Sequence, residues 1–271
     1  MKSRSTMSSV DEDRQTAHPE YLPTFCFHKV TDRITFGSTN YSPRRLARLL
    51  EHLQSEGFDL TSDAMGERRG RGPLVTFDDG YAHLVTALPP LIERFGLRPT
   101  VFVPTAWIGK ANRWDYSHRL CSERHLNTTE IRELCRLGAQ FGSHGHRHVM
   151  LTGLSEAKLR EDLATSKNIL EDIIGTAIDS LSYPFGRVNK KVTDAAMSVG
   201  FTSGFTMRYP EPNDPALERG RYAIYFYDTP ESVQRKLGAG WGRRVEKARA
   251  DLTNRLSYGT ILLNRIRRTD D

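Results

Sequence analysis

The sequence predicts an α/β fold built on a parallel sheet, and a barrel explains it best. Three observations carry this. Short apolar, β-branched runs alternate with amphipathic helical patterns through most of the chain. Several of those runs stop at polar clusters, and a parallel barrel presents its chemistry at such strand ends. No glycine-rich phosphate loop follows any run, which leaves an open doubly wound sheet second.

The elements follow in order. Residues 1–20 read as a flexible arm, and Tyr21–Val30 as the first strand, with His28 near its C-terminal end. Ser42 as N-cap and Pro43 at the first helical position start a helix with the stripe Leu46, Leu49, Leu50 and Leu53, ended by Gly57. Phe58–Leu60 reads as a short strand, Gly66–Gly72 as a loop, and Leu74–Phe77 as a buried strand. A helix over Leu84–Phe95 is interrupted at Pro89-Pro90 and stopped by Gly96. Pro99–Pro104 is a strand, and the irregular Thr105–Leu126 carries Trp107, Trp114 and Tyr116; a loop of that length is often functional. Asn127 caps a helix, with Glu130 placed to reach back to it. Ala139–Ser143 is a strand, Ser155 starts a long helix closed by Gly175, and Ile178–Tyr183 is a strand. Val188–Val199 is a helix closed by Gly200, and Phe201–Thr206 a strand. The expected organisation is an arm (1–20), one barrel (21–228) and a basic helical segment (229–271).

Composition narrows the class. The chain has 271 residues and 38% apolar content, and no run reaches membrane-spanning length. Met1–Ala17 has no apolar core of a secretory signal, so a cytoplasmic location is expected. Cys26, Cys121 and Cys135 are too few and scattered for a disulfide framework or a cysteine-rich zinc site. The net charge of +6 is concentrated late: Ser232–Arg268 holds ten Lys/Arg against Glu246 and Asp251, a local +8. Val245, Ala248, Leu252 and Leu256 share one helical face there, with Arg243, Arg244, Lys247, Arg249 and Arg255 crowding the rest. Such a helix either packs its stripe on the barrel or lies on an anionic membrane surface. No nucleic-acid partner is expected.

Chemistry gathers at three strand ends. Leu74-Val75-Thr76-Phe77 stops at Asp78-Asp79-Gly80-Tyr81. Adjacent carboxylates repel unless a cation or proton sits between them, which suggests one Asp on a metal and the other free to move a proton. The plainer alternative is a strand-to-helix turn with one Asp as N-cap. Gly142-Ser143-His144-Gly145-His146-Arg147-His148 places His144 and His148 four apart, with His146 expected to point elsewhere. Two imidazoles and one carboxylate make a zinc set with a position left open, against the alternative of a His-rich surface turn. Tyr183-Pro184-Phe185-Gly186 is a rigid turn whose backbone N–H groups could face a site.

TFDDGY, GSHGHRH and YPFG, in that order and with these flanking elements, resemble the first three motifs of the polysaccharide deacetylases (carbohydrate esterase family four, the NodB-like domain). The resemblance spans roughly Phe25 to Arg221, taking in FHKV at the start, LEDIIG before the third motif and AAMSVGFTSGFT after it. It implies a distorted (β/α) barrel of about seven strands. It also implies one divalent metal on Asp79, His144 and His148, zinc first, with nickel, cobalt or manganese as alternatives. Two positions depart from the family. Ser182 stands where many members carry an Arg that orients the catalytic Asp, and Gly259–Ile266 lacks the late His that serves as general acid. His28 is the available substitute.

The implied reaction is metal-assisted hydrolysis of an N-acyl group, N-acetyl first, on an amino sugar in a polysaccharide, oligosaccharide or lipid-linked glycan. Asp78 would be the base and His28 the acid. Tyr183, Pro184, Phe185, Gly186, Tyr81 and Trp114 would line the oxyanion and substrate positions. The alternatives are an inactive barrel that binds a glycan or partner, and an amidase or deformylase of the same fold.

Overall fold

The computed structural model describes residues 22–33, 38–61, 72–112 and 123–253. The expected arm, residues 66–71 of the expected loop, Trp114, Tyr116, Leu256 and Arg255 lie outside these. The strands are β1 (Thr24–Phe27), β2 (Lys29–Val30), β3 (Asn40–Tyr41), β4 (Leu74–Phe77), β5 (Thr100–Val103), β6 (Gln140–Ser143), β7 (Ser180–Ser182), β8 (Ser203–Phe205) and β9 (Tyr222–Ala223). The helices are α1 (Pro43–Ser55), α2 (Leu84–Ala87), α3 (Pro89–Phe95), α4 (Thr128–Arg136), α5 (Glu156–Ile174), α6 (Lys190–Val199) and α7 (Pro230–Leu237). Residues 241–253 are also helical.

One seven-stranded sheet runs β8-β7-β6-β5-β4-β1-β9, and its pairings are parallel. It curls into the distorted barrel the motifs imply. The seam is irregular: Arg219 bridges Phe205 of β8, and three residues later Tyr222 pairs with Phe25 of β1. A single segment thus hydrogen-bonds to both β8 and β1.

Strand alternation explains both layers of packing. Phe25, Phe27, Val75, Phe77, Val101, Val103 and Leu181 belong to the main core with the apolar faces of the helices. The intervening Leu74, Phe102 and Phe205 form a separate cluster and fill the barrel interior. Gly142 leaves room for it, since a Cβ there would lie 2.4 Å from the Phe102 ring. Because both faces are buried, β1, β4 and β5 are rich in apolar residues with no apolar–polar alternation between faces.

Local signals hold where they are strongest. Ser42 accepts from the Arg45 N–H, and Leu46, Leu49, Leu50 and Leu53 are buried. Asn127 and Glu130 make both bonds of a capping box. The Pro89-Pro90 interruption splits one expected helix into α2 and α3. Two expectations need correction. Phe58–Leu60 forms no strand; it is a connection that buries Leu60. The apolar stripe of 241–253 does not pack on the barrel. Ala248 and Leu252 face solvent with Trp241, while Glu246 and Ala250 are the buried positions. Glu246 goes inward because Arg235 and Arg249 pair with it, at 2.7 and 3.1 Å.

Candidate active site

The site forms where β4, β6 and β7 end on one rim. Adjacent side chains of an extended strand point to opposite faces, so Asp78 and Asp79 need a turn to share a site. Asp78 still bonds as strand, its N–H donating to Phe27 O at 2.9 Å. Asp79 then turns left-handed (φ 72°), and Gly80 follows (φ 57°). A Cβ on Gly80 would also press within 3.0 Å of Val103. His148 (φ 55°) and Phe185 (φ 61°) are left-handed as well. These three are the non-glycine residues with positive φ among the described residues. Each such backbone costs roughly 1–3 kcal/mol and persists only where surroundings over-determine it. All three lie on this rim.

Asp79, His144 and His148 converge. Asp79 Oδ1 lies 3.5 Å from His144 Nε2 and 3.4 Å from His148 Nε2. Good hydrogen bonds are shorter than this. The edge of a tetrahedron of about 2.1 Å metal–ligand bonds is about 3.4 Å, so the donor set fits a divalent metal such as zinc. His144 Nδ1 lies 2.7 Å from Ser182 O. A carbonyl only accepts, so Nδ1 carries a proton, and Nε2 is the nitrogen that faces Asp79. Burial, only partly countered by Asp79, pushes His148 down to about 4 and so favours its neutral form. Burial alone would raise the Asp79 carboxyl, but the two imidazoles hold it well below its usual range.

Asp78 sits beside this cluster in a different environment. Arg221 donates to both its oxygens, Nη1 to Oδ1 at 2.8 Å and Nη2 to Oδ2 at 2.7 Å. Ser182 Oγ donates to Oδ2 at 3.0 Å and accepts from Arg221 at 2.8 Å. The guanidinium lies over the Phe102 and Phe205 rings of the barrel floor and is fully buried. Burial would raise the Asp78 carboxyl; Arg221, with His144 and His28, holds it far below its ordinary value. The cation missing at Ser182 is therefore present, but it arrives from the seam, 143 residues away in sequence. His28 is close by: Cys26, His28 and Asp78 bring side-chain donor atoms within 4.8 Å of one another. His28 Nδ1 is buried with no hydrogen-bond partner.

The ligand loops are held from behind. Asp162 of α5 accepts from the His146 N–H at 2.8 Å and from Arg147 Nε at 3.0 Å, bracing the turn between His144 and His148. His146 points away, to Thr105 Oγ1 at 2.9 Å, and leaves the two candidate ligands on either side of it to converge. Phe185 packs its ring 4.9 Å from that of His148. Two expected substrate contacts are enclosed instead. Tyr81 is buried between the rings of His83 and His125, at 5.6 and 5.2 Å. Tyr183 is buried with its hydroxyl donating to Leu217 O at 2.7 Å. Pro184 is buried and Gly186 half-buried at the same turn. Arg221, Asp162 and His125 carry no local motif that would single them out.

Comparison with known proteins bears on this geometry. A model of the family described as polysaccharide deacetylase matches residues 66–204, about half of the chain. The Bacillus subtilis (strain 168) protein YxkH, which carries a provisional polysaccharide deacetylase name, is 24% identical over 221 residues, covering 78% of this chain and 72% of its own. The Streptococcus pyogenes deacetylase PplD, solved with acetate, superposes with a TM-score of 0.68 at 17% identity, over 80% of this chain and 98% of that one. A Bacillus cereus polysaccharide deacetylase superposes at 0.66 with 22% identity, over 80% and 69%.

Proposed function

The chain belongs to the polysaccharide deacetylase family, and on that premise we propose that it hydrolyses an N-acyl group, N-acetyl first, from an amino sugar of a glycan, with one divalent metal held by Asp79, His144 and His148. The observation that carries the reading is the juxtaposition of this donor set with the buried Asp78–Arg221 pair. A divalent ion bound there supplies Lewis acidity, polarising an acyl oxygen and easing deprotonation of a water.

The chain's own groups do the rest. Asp78 takes the proton of the attacking water, with Arg221 and Ser182 fixing the carboxylate for that task. His28, beside Asp78, protonates the leaving amine. The backbone N–H near Phe185 would hold the oxyanion. His28→Ala should depress turnover while leaving metal content intact.

A lipid-linked form of the substrate is supported by the helix at 241–253, whose Trp241, Ala248 and Leu252 face solvent beside the exposed Arg244. Some of its remaining charge is paired at the surface, as in Lys247–Glu211 at 3.1 Å. The test has two arms. Metal content is measured, and the protein is screened against N-acetylated oligosaccharides and lipid-linked amino sugars for amine release. Co-sedimentation with anionic vesicles is measured in parallel at low and high salt. No divalent metal uptake would defeat the metal reading. Metal uptake with no amine release from any substrate would favour a glycan-binding barrel. Absence of vesicle binding at low salt would remove the support for a membrane-linked substrate.

A further inference from the structure

Asp79 is contacted by a third histidine, and through its backbone. His125 Nδ1 lies 2.7 Å from the Asp79 carbonyl oxygen. Since that oxygen only accepts, Nδ1 carries the proton and the tautomer is set. The ring has no freedom to leave. It is fully buried, and it lies nearly parallel to Tyr81, with centroids 5.2 Å apart and planes at 19°. Its backbone is bound on both sides of the contact: His125 N–H donates to Lys110 O at 3.0 Å, and Leu126 N–H to Gly80 O at 2.8 Å. Residues 124–126 thus pair antiparallel with 80–82, and His125 bridges Tyr81. The side chain reaches back along that pairing to the residue before Gly80. The carbonyl it holds belongs to a left-handed, non-glycine residue, whose conformation needs an external restraint.

We propose that His125 is a positioning residue for the metal site, its Nδ1–H pinning the Asp79 peptide so that the carboxylate stays aimed at His144 and His148. This rests on the reading of Asp79 as a ligand. His125 touches no substrate in this role and acts only through Asp79. Its action is a distance and a direction, because it holds the carbonyl of a residue whose φ is left-handed. A partner of this kind changes metal affinity by about 10- to 100-fold when it is lost.

Three variants separate this from a packing role. His125→Phe keeps the ring on Tyr81 and removes the N–H. His125→Asn offers an amide N–H near the Nδ1 position, and His125→Gln places its amide one bond further out. Zinc affinity is measured for each by competition with a chromogenic chelator, alongside thermal unfolding of the metal-free protein. His125→Asn should bind zinc within a few-fold of the parent, whereas His125→Phe and His125→Gln should bind about 10- to 100-fold more weakly. If His125→Phe does not fold, the Asn and Gln pair still decides. Parental affinity in His125→Phe or His125→Gln would overturn the proposal. So would affinities that simply track the unfolding midpoints of the metal-free proteins. Asp79→Asn is measured in the same series. If that change leaves zinc affinity untouched, the ligand reading fails, a result distinct from any difference among the 125 variants.

Discussion

Two buried ion pairs in this molecule look alike by distance and exposure. Asp78 meets Arg221 at 2.7 Å with side chains 2% and 0% exposed, and Asp228 meets Lys236 at 2.7 Å with 0% and 2%. What surrounds the carboxylates differs. Asp228 is closed off by the Tyr225 N–H at 2.8 Å and the Ser232 hydroxyl at 2.9 Å, while Lys236 also donates to Ala223 O at 2.9 Å. Lys236 ties α7 to β9 through Ala223 and to the connecting turn through Asp228, and the pair acts as a lock. Asp78 has His28 on one side and Asp79 with His144 on the other. Its carboxylate is held in place but adjoins groups that can bind metal or move protons. Burial and a short contact therefore do not separate a functional ion pair from a structural one; the neighbouring titratable groups do.

Substitutions can break this contrast. The largest effect is expected from His148→Ala, which should lose both bound metal and turnover, read by metal analysis and amine release. Asp78→Asn should keep the metal and lose turnover by about 10²- to 10⁴-fold, the range of a general base. If Asp78→Asn loses the metal and Asp79→Asn keeps it, the two carboxylates exchange roles. Lys236→Met should cost about 3–5 kcal/mol in urea unfolding, because it leaves the buried Asp228 carboxylate uncompensated. The folded fraction should nonetheless turn over substrate at the parental rate. A large fall in its turnover would mean that the seam lock also shapes the catalytic end, and the contrast would fail.

The parts of the site legible in sequence are those made by neighbours along the chain. Asp78 and Asp79 are adjacent, and His144 and His148 are four apart, so one turn per strand end presents each pair. Helix boundaries were legible for the same reason: the Asn127–Glu130 box and the Ser42 cap close within three residues. Short range also limited what could be read. Phe58–Leu60 has a strand's composition but finds no partner strand, and pairing, not propensity, makes a strand. Tyr81 and Tyr183 have the character of substrate contacts, yet rings and carbonyls from distant segments cover them. The stripe of 241–253 was visible as a periodicity, but its direction depended on where Arg235 and Arg249 would draw Glu246.

The sequence by itself determined the parallel α/β architecture, the three strand-end motifs and the identity of the residues able to hold a metal, because these follow from periodicity and from contacts a few residues apart. Only the tertiary structure decided how Asp78 is controlled. Closing the barrel brings residues 219–223 between β8 and β1, and this seam delivers Arg221 onto Asp78 and into the space left by the small Ser182 side chain. Asp162 and His125 likewise reach the ligand loops only after α5 and residues 124–126 have packed. Such contacts depend on how strands and helices stack in space, and one chain's order of residues does not encode that stacking in any local pattern.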